Sequence, residues 1–206
     1  MLRSLVHSFD DRVEAAVAPL RGRRWADRVF YTASALGDFG LIWVVFAMLR
    51  ALRGGKANER AAVRAVAATG IESVLVNVLL KSLFSRGRPE EQPDHPLPVR
   101  QPLSSSFPSG HATAAFCGAT LLSDGDPFAV AYFATAAVVA ASRVYVGMHH
   151  ASDVVGGVAV GLGLGHLGKA LVPMRIPGAS PAARASSRPA LPARWPADGA
   201  PGAGRP

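Results

Sequence analysis

The sequence predicts an all-α integral membrane protein: a helical bundle of about five transmembrane helices, preceded by an N-terminal amphipathic helix. Three observations carry that prediction. Half of the 206 residues are hydrophobic and only 17% are charged, against about a quarter in an average globular chain; mean hydropathy is +0.23. Residues 39–49, 104–123, 127–142 and 154–168 contain no Asp, Glu, Lys or Arg, and residues 65–80 contain only Glu72. Extended to helix length, these runs give five spans at about 29–50, 62–83, 108–123, 127–148 and 152–172, several of them marginal against the roughly 20 apolar residues a crossing needs. Finally, the fourth and fifth segments lack the polar stripe that a soluble helix turns to water.

The elements follow in order. Over residues 1–20, Leu2, Leu5, Val6, Phe9, Val13, Ala16, Val17 and Leu20 keep the helical period, and Arg3, Asp10, Asp11, Arg12 and Glu14 fill the other side. This pattern predicts a helix lying at the membrane interface. The acids interrupt any apolar stretch of the kind a signal peptide carries. Residues 1–25 therefore form an interfacial helix and linker, and 26–172 the transmembrane domain. In the fifth span, Gly157, Gly161 and Gly165 recur every four residues, the spacing that lets helix backbones approach closely in lipid. Asp38 and Glu72 are acids inside predicted spans. Asp38 is expected to pair with an arginine or to cap a helix broken near Gly37 and Gly40; both acids are left outside the site.

Charge and composition remove other classes. A single cysteine, Cys117, excludes a disulfide scaffold, and the hydrophobicity excludes disorder over most of the length. The formal net charge of +8 would suit a nucleic-acid binder, but its distribution does not. Residues 1–25 and 26–172 each carry a net +2, and residues 173–206 carry +4 in a segment holding eight of the sixteen prolines. The last segment reads as a disordered tail, and nucleic acid is not an expected partner.

Three polar clusters are brought by topology to one end of the bundle. Lys81, Arg88 and Pro89 end the second span; Pro108, Ser109, Gly110 and His111 open the third; Ser142, Arg143, His149 and Asp153 join the fourth to the fifth. Lys81, Arg88 and Arg143 repel one another unless an anion joins them, and arginine matches phosphate oxygens bidentately. The start of a helix adds free N–H groups and a positive dipole end, with Gly110 admitting an anion close to the backbone. This is the equipment for holding the equatorial oxygens of a phosphoryl-transfer transition state. His149 and Asp153, at i and i+4, are expected to share a helix face, so that the carboxylate fixes the ring and frees the other nitrogen for attack. His111 on the opposing helix then protonates the leaving oxygen.

On these residues the chain resembles the type 2 phosphatidic acid phosphatase superfamily, which includes bacterial lipid phosphatases and vanadium haloperoxidases. The three motifs match without gap or substitution, over about residues 27–170. The resemblance implies a phosphohistidine at His149, no metal or other cofactor, and phosphoryl binding by Lys81, Arg88, Ser109, Gly110 and Arg143. Many relatives have six spans; here the amphipathic helix stands where the first would be.

The expected partners are a lipid phosphate substrate, either a monoester or a diphosphate, and the bilayer of the cell membrane. Two other readings use the same residues. One is a metal-assisted hydrolase built on His111, His149, His150 and Asp153; the other is a non-catalytic protein that binds anionic lipid. A haloperoxidase ranks lower, since those relatives are larger and soluble. Outside the motifs, His150 is expected to be an interfacial side chain. Segment 90–107, with Glu90, Glu91, Asp94 and His95, is expected to be a solvated loop over the pocket. The loop carrying Arg50, Arg53, Lys56, Arg60 and Arg64 points to the cytoplasm by the positive-inside rule, which sets the site outside the cytoplasm, although Arg21, Arg23, Arg24 and Arg28 argue the other way.

Overall fold

A helix that is apolar all round is buried at the centre of its bundle or bathed in lipid, and this chain holds both kinds. The computed structural model describes residues 2–89 and 104–174, which contain helices and turns and no strand. The helices are α1 (Leu2–Val17), α2 (Arg24–Gly37), α3 (Leu41–Leu52), α4 (Lys56–Val74), α5 (Gly110–Leu122), α6 (Ala129–Tyr145) and α7 (Ala151–Leu171). All but two residues of the predicted tail, 173–206, lie outside the described residues, as do Glu90, Glu91, Asp94 and His95.

Helix α5 is the axle: it packs against α7, α6 and α4. It is nearly all Ala, Gly, Thr and Leu, and Ala112, Ala115, Ala119, Leu121 and Leu122 are fully buried. The glycines of α7 make this possible. A Cβ at Gly157 would stand 2.6 Å from the Ser109 carbonyl oxygen, and one at Gly165 would stand 2.6 Å from Thr120 Cβ. The stripe read from the sequence is thus the α5–α7 contact surface.

Polarity is inverted relative to a water-soluble bundle. Val45, Met48, Val63, Ile71, Val78 and Val130 point outward, whereas Arg50, Arg64, Glu72, Lys81, Arg143 and Asp153 are buried. Three stretches are long and apolar enough to cross a membrane: Arg24–Leu52, Lys56–Leu83 and Ala151–Leu171. α6 is apolar but shorter, and α5 has 13 residues, about 20 Å of rise, which suits the protected centre of a bundle.

The first predicted span is two helices, not one. α2 and α3 meet in a single tight turn at Asp38–Gly40, where Phe39 (φ 55°) and Gly40 (φ 68°) are left-handed. Helix α4 continues through a wider turn, Leu75–Leu80, and a tight one, Lys81–Leu83. Helix α1 departs from its expected pattern at one point: Asp10, on the face assigned to water, is buried at 6% exposure, while Leu5 and Phe9 stay outward as an interfacial helix requires.

Candidate active site

The turn from α6 to α7 contains Gly147, whose φ of 65° lies in the left-handed region that glycine enters freely. That reversal lets the amides of Met148 and His149 both donate to the Arg143 carbonyl, at 3.0 and 3.1 Å. His149 is thereby folded back beneath the end of α6 and is buried. Its Nδ1 lies 2.8 Å from the carbonyl oxygen of Ser106. A carbonyl only accepts, so Nδ1 carries the proton and Nε2 keeps the lone pair. Nε2 faces Nη1 of Arg88 at 3.5 Å. Burial, opposed by Asp153 and reinforced by the charges of Arg143 and Arg88, pushes the pKa of His149 down to about 3. The ring is therefore neutral, with its Nε2 lone pair turned toward Arg88.

The expected bond between His149 and Asp153 is corrected by the structure. α7 begins at Ala151, so His149 precedes the helix and the i, i+4 argument does not apply. The His149 Nδ1 to Asp153 Oδ2 distance is 3.8 Å, too long for a hydrogen bond. The carboxylate instead accepts from Ser106 Oγ at 2.5 Å, from the His150 amide at 2.9 Å and from Arg86 Nη1 at 2.7 Å. Asp153 reaches the histidine through Ser106: it fixes the residue whose carbonyl sets the tautomer.

Ser109 is the N-cap of α5, and its amide donates to the Asp153 carbonyl at 3.0 Å. This bond ties the helix-start motif to the His–Asp motif. A Cβ at Gly110 would lie 3.1 Å from Asn77 Oδ1 and 3.6 Å from Lys81 Nζ. The glycine therefore leaves room for the buried lysine at the helix start. Arg88 donates to the carbonyls of Met148 (2.8 Å) and Ser104 (3.2 Å). Arg143, buried at the end of α6, hydrogen-bonds Ser34 Oγ of α2. Its positive charge acts on Lys81, His111 and His149. Among the described residues, Ser109 Oγ and Arg143 Nε are buried donors without a partner.

His111 Nε2 lies 3.0 Å from Asp38 Oδ1. The break between α2 and α3 delivers that carboxylate. The approach is close: a Cβ at Gly37 would stand 2.8 Å from His111 Cδ2.

The structure thus gathers Lys81, Arg88, Ser109, Gly110, His111, Arg143, His149 and Asp153 at one end of the bundle. Pro89 and Pro108 adjoin Arg88 and Ser109 in the chain, while Ser142 donates its hydroxyl to the Val139 carbonyl within α6. His150 caps α7, and Cys117 is buried in α5.

Sequence reasoning missed Arg86, Ser106, Ser34 and Asp10, and it set Asp38 aside. Only Asp38 carried a usable signal, as an acid inside an apolar span. Among the described residues, no three His, Cys, Asp or Glu side chains are grouped to hold a metal ion; His111 turns to Asp38 and His149 to Ser106.

Comparison with known proteins identifies the family. A model of the PAP2 superfamily matches residues 61–177. The decaprenylphosphoryl-5-phosphoribose phosphatase of Mycobacterium tuberculosis is 34% identical over 142 residues, covering 65% of this chain and 75% of that protein. The lipid A 1-phosphatase of Rhizobium etli is 38% identical over 101 residues, covering 45% of this chain and 43% of that one. Among solved structures, the transmembrane PAP2-type phosphatidylglycerolphosphate phosphatase of Bacillus subtilis superposes with a TM-score of 0.62 at 27% identity, over 81% of this chain and 86% of that one. LpxE of Aquifex aeolicus gives 0.60 at 26% identity, over 76% and 92%. This membrane helical bundle is a phosphoric ester hydrolase and belongs to the PAP2 superfamily.

Proposed function

We propose that the chain hydrolyses a lipid phosphate, monoester or diphosphate, through a phosphohistidine on His149, without a metal ion. One observation carries the reading. Nδ1 of His149 is committed to a carbonyl, so the Nε2 lone pair faces a cluster of cations.

In the first step Nε2 attacks phosphorus and the bond to the lipid oxygen breaks in line. His111, oriented by Asp38, gives that oxygen a proton. In the second step His111 takes a proton from water, which attacks the phosphohistidine and releases phosphate. Lys81, Arg88, Arg143, the Ser109 hydroxyl and the first amides of α5 hold the three equatorial oxygens throughout. The relatives named above are phosphatases of a polyprenyl-linked phosphoribose and of lipid A, which supports a lipid-borne phosphate here.

The test is phosphate release from phosphatidic acid, phosphatidylglycerophosphate, a prenyl diphosphate and a prenylphosphoryl sugar phosphate in mixed micelles with chelator. Wild type is expected to turn over at least one of them, to be inhibited by vanadate and to yield an acid-labile phosphoprotein. His149→Ala should do none of these. Wild-type release by His149→Ala would end the reading, and activity that vanishes in chelator would end its metal-free form.

The proposal includes an extracytoplasmic catalytic end: the exposed Lys56 and Arg60 at the opposite end support it by the positive-inside rule, against the exposed Arg23, Arg24 and Arg28 on the catalytic side. Cys117 is buried, so a Glu59→Cys variant offers one exposed thiol. Labelling of that thiol in intact cells by a membrane-impermeant reagent would reverse the orientation.

A further inference from the structure

We infer that Asp10, on the N-terminal amphipathic helix, is a positioning residue of the catalytic site, acting on Asp153 through Arg86 and Ser152. The inference rests on the phosphatase reading above.

The connection is continuous. Asp10 Oδ1 accepts the backbone amide of Ser152 at 2.8 Å, and Oδ2 accepts the Ser152 hydroxyl at 2.8 Å. Ser152 is the second residue of α7, so its amide is one of those a helix start leaves without an intrahelical partner. Asp10 supplies that partner from another helix, and its negative charge meets the positive end of the α7 dipole. Oδ2 also accepts from Arg86 Nη2 at 2.7 Å. Nη1 of the same guanidinium donates to Ser152 Oγ and to Asp153 Oδ1, each at 2.7 Å. Asp153 Oδ2 then takes the Ser106 hydroxyl, and the Ser106 carbonyl takes His149 Nδ1–H. Arg86 also reaches this segment through its backbone, because its carbonyl accepts the Ser106 amide at 3.0 Å.

Two buried carboxylates therefore share one arginine. Without Asp10, the guanidinium and the α7 start each lose an anchor. The Asp153 carboxylate loses the fixed orientation that Ser106 and His149 read from it. Helix α1 thus reaches the nucleophile through side chains and belongs to the active site as well as to the membrane surface.

The experiment is a double-mutant cycle on the full-length protein in detergent, using Asp10→Asn, Asp153→Asn and the pair. Melting temperature and the ¹⁵N resonances of the His149 ring are followed beside kcat and KM. Asp10→Asn is expected to lower kcat about tenfold with KM within about twofold, and to shift the Nδ1 resonance. In the Asp153→Asn background it should cost less than about twofold, because the route is already cut. Equal costs in both backgrounds, or an unchanged kcat, would overturn the inference and leave Asp10 a packing residue. If Asp10→Asn does not fold, Ser152→Ala keeps both charges; it should show the same background dependence at about threefold, and additivity there would overturn the inference equally. Should wild type release phosphate from no lipid, the phosphatase reading fails by itself. The Nδ1 resonance then decides the positioning claim: a shift in Asp10→Asn supports it, and no shift overturns it.

Discussion

Gly157→Ala is a one-methyl perturbation whose consequence can be worked from distances. The new Cβ would stand 2.6 Å from the Ser109 carbonyl oxygen, 3.0 Å from Ala112 Cβ and 3.3 Å from Thr113 Oγ1. The first is a backbone atom that no rotamer can move aside. To reach the 3.4 Å of ordinary contact, α7 must retreat from α5 by about 0.8 Å. Gly157 lies one turn beyond Asp153, whose carbonyl accepts the Ser109 amide at 3.0 Å, so the retreat stretches that bond and carries the Asp153 side chain with it. Overpacking of this kind costs about 1–3 kcal/mol, and misplacement by about 1 Å in a catalytic array costs on the order of 100-fold in rate. The assay is phosphate release in mixed micelles together with thermal unfolding in detergent. Gly157→Ala should lower kcat by at least about tenfold while the protein stays folded. Gly163→Ala is the control: it sits on the same helix with nothing within 4 Å of a new Cβ, and should gain up to about 1 kcal/mol from helix propensity with unchanged kcat. A Gly157→Ala enzyme with wild-type kcat would refute the claim that the α5–α7 contact sets the catalytic geometry.

His111→Ala should lose about 100-fold on a lipid phosphate, but less than about tenfold on p-nitrophenyl phosphate, whose leaving group needs no proton. Asp38→Asn should show the same ordering more weakly, as measured by the two rates side by side. Because the folded pKa of His149 is about 3 against about 6.5 unfolded, the unfolded chain takes up a proton there that the native chain refuses. Stability should therefore fall as pH drops below 6.5, by about 2 kcal/mol at pH 5 from this residue; His149→Gln should flatten that slope in thermal unfolding measured from pH 8 to pH 5. At the far end of the bundle, Arg50 donates to the carbonyls of Leu122 and Asp124 and pairs with Asp126. Arg50→Ala should cost about 3 kcal/mol in stability, with kcat intact in whatever protein remains folded.

Most of the architecture was legible because lipid imposes a single rule, apolar outward for the length of a crossing, and the uncharged runs around 39–49, 127–142 and 154–168 obey it. The motif residues were legible because cations beside a helix start have few explanations. The hidden parts share a cause: they are contacts between residues far apart in sequence whose types are individually ordinary. Arg86 looks like any loop arginine until the fold sets it between Asp10 and Asp153. Ser106 is one of three consecutive serines, and only the fold selects its carbonyl for His149. The i, i+4 reading of His149 and Asp153 failed for a local reason. Gly147 turns the chain, and the helix starts two residues after the histidine, so the two residues do not share one helix and its periodicity does not relate them.

Both ends of α5 carry buried cations, and the two ends answer them differently. At the C-terminal end, Arg50 and Arg64 donate to the carbonyls of Leu122 and Leu121, where the helix dipole is negative and exposed carbonyls need donors. Asp124 and Asp126 answer those charges, although Nε of Arg64 stays buried without a partner among the described residues. At the N-terminal end the dipole is positive, and Lys81, Arg88 and Arg143 add to it rather than offset it. Asp153 pairs with Arg86 and Asp38 with His111, and the buried Glu72 faces Lys81 electrostatically while its carboxylate oxygens accept no hydrogen bond among the described residues. Two donors, Ser109 Oγ and Arg143 Nε, are left without a partner among the described residues. Buried donors and like charges are costly to leave so arranged. If the proposed phosphoryl group binds at the start of α5, its anionic oxygens remove that cost, most fully in the transition state, when three oxygens spread toward these donors. On the proposed reading, the close gathering of Lys81, Arg88 and Arg143 at the start of α5 is stability given up by the fold and recovered on the reaction coordinate.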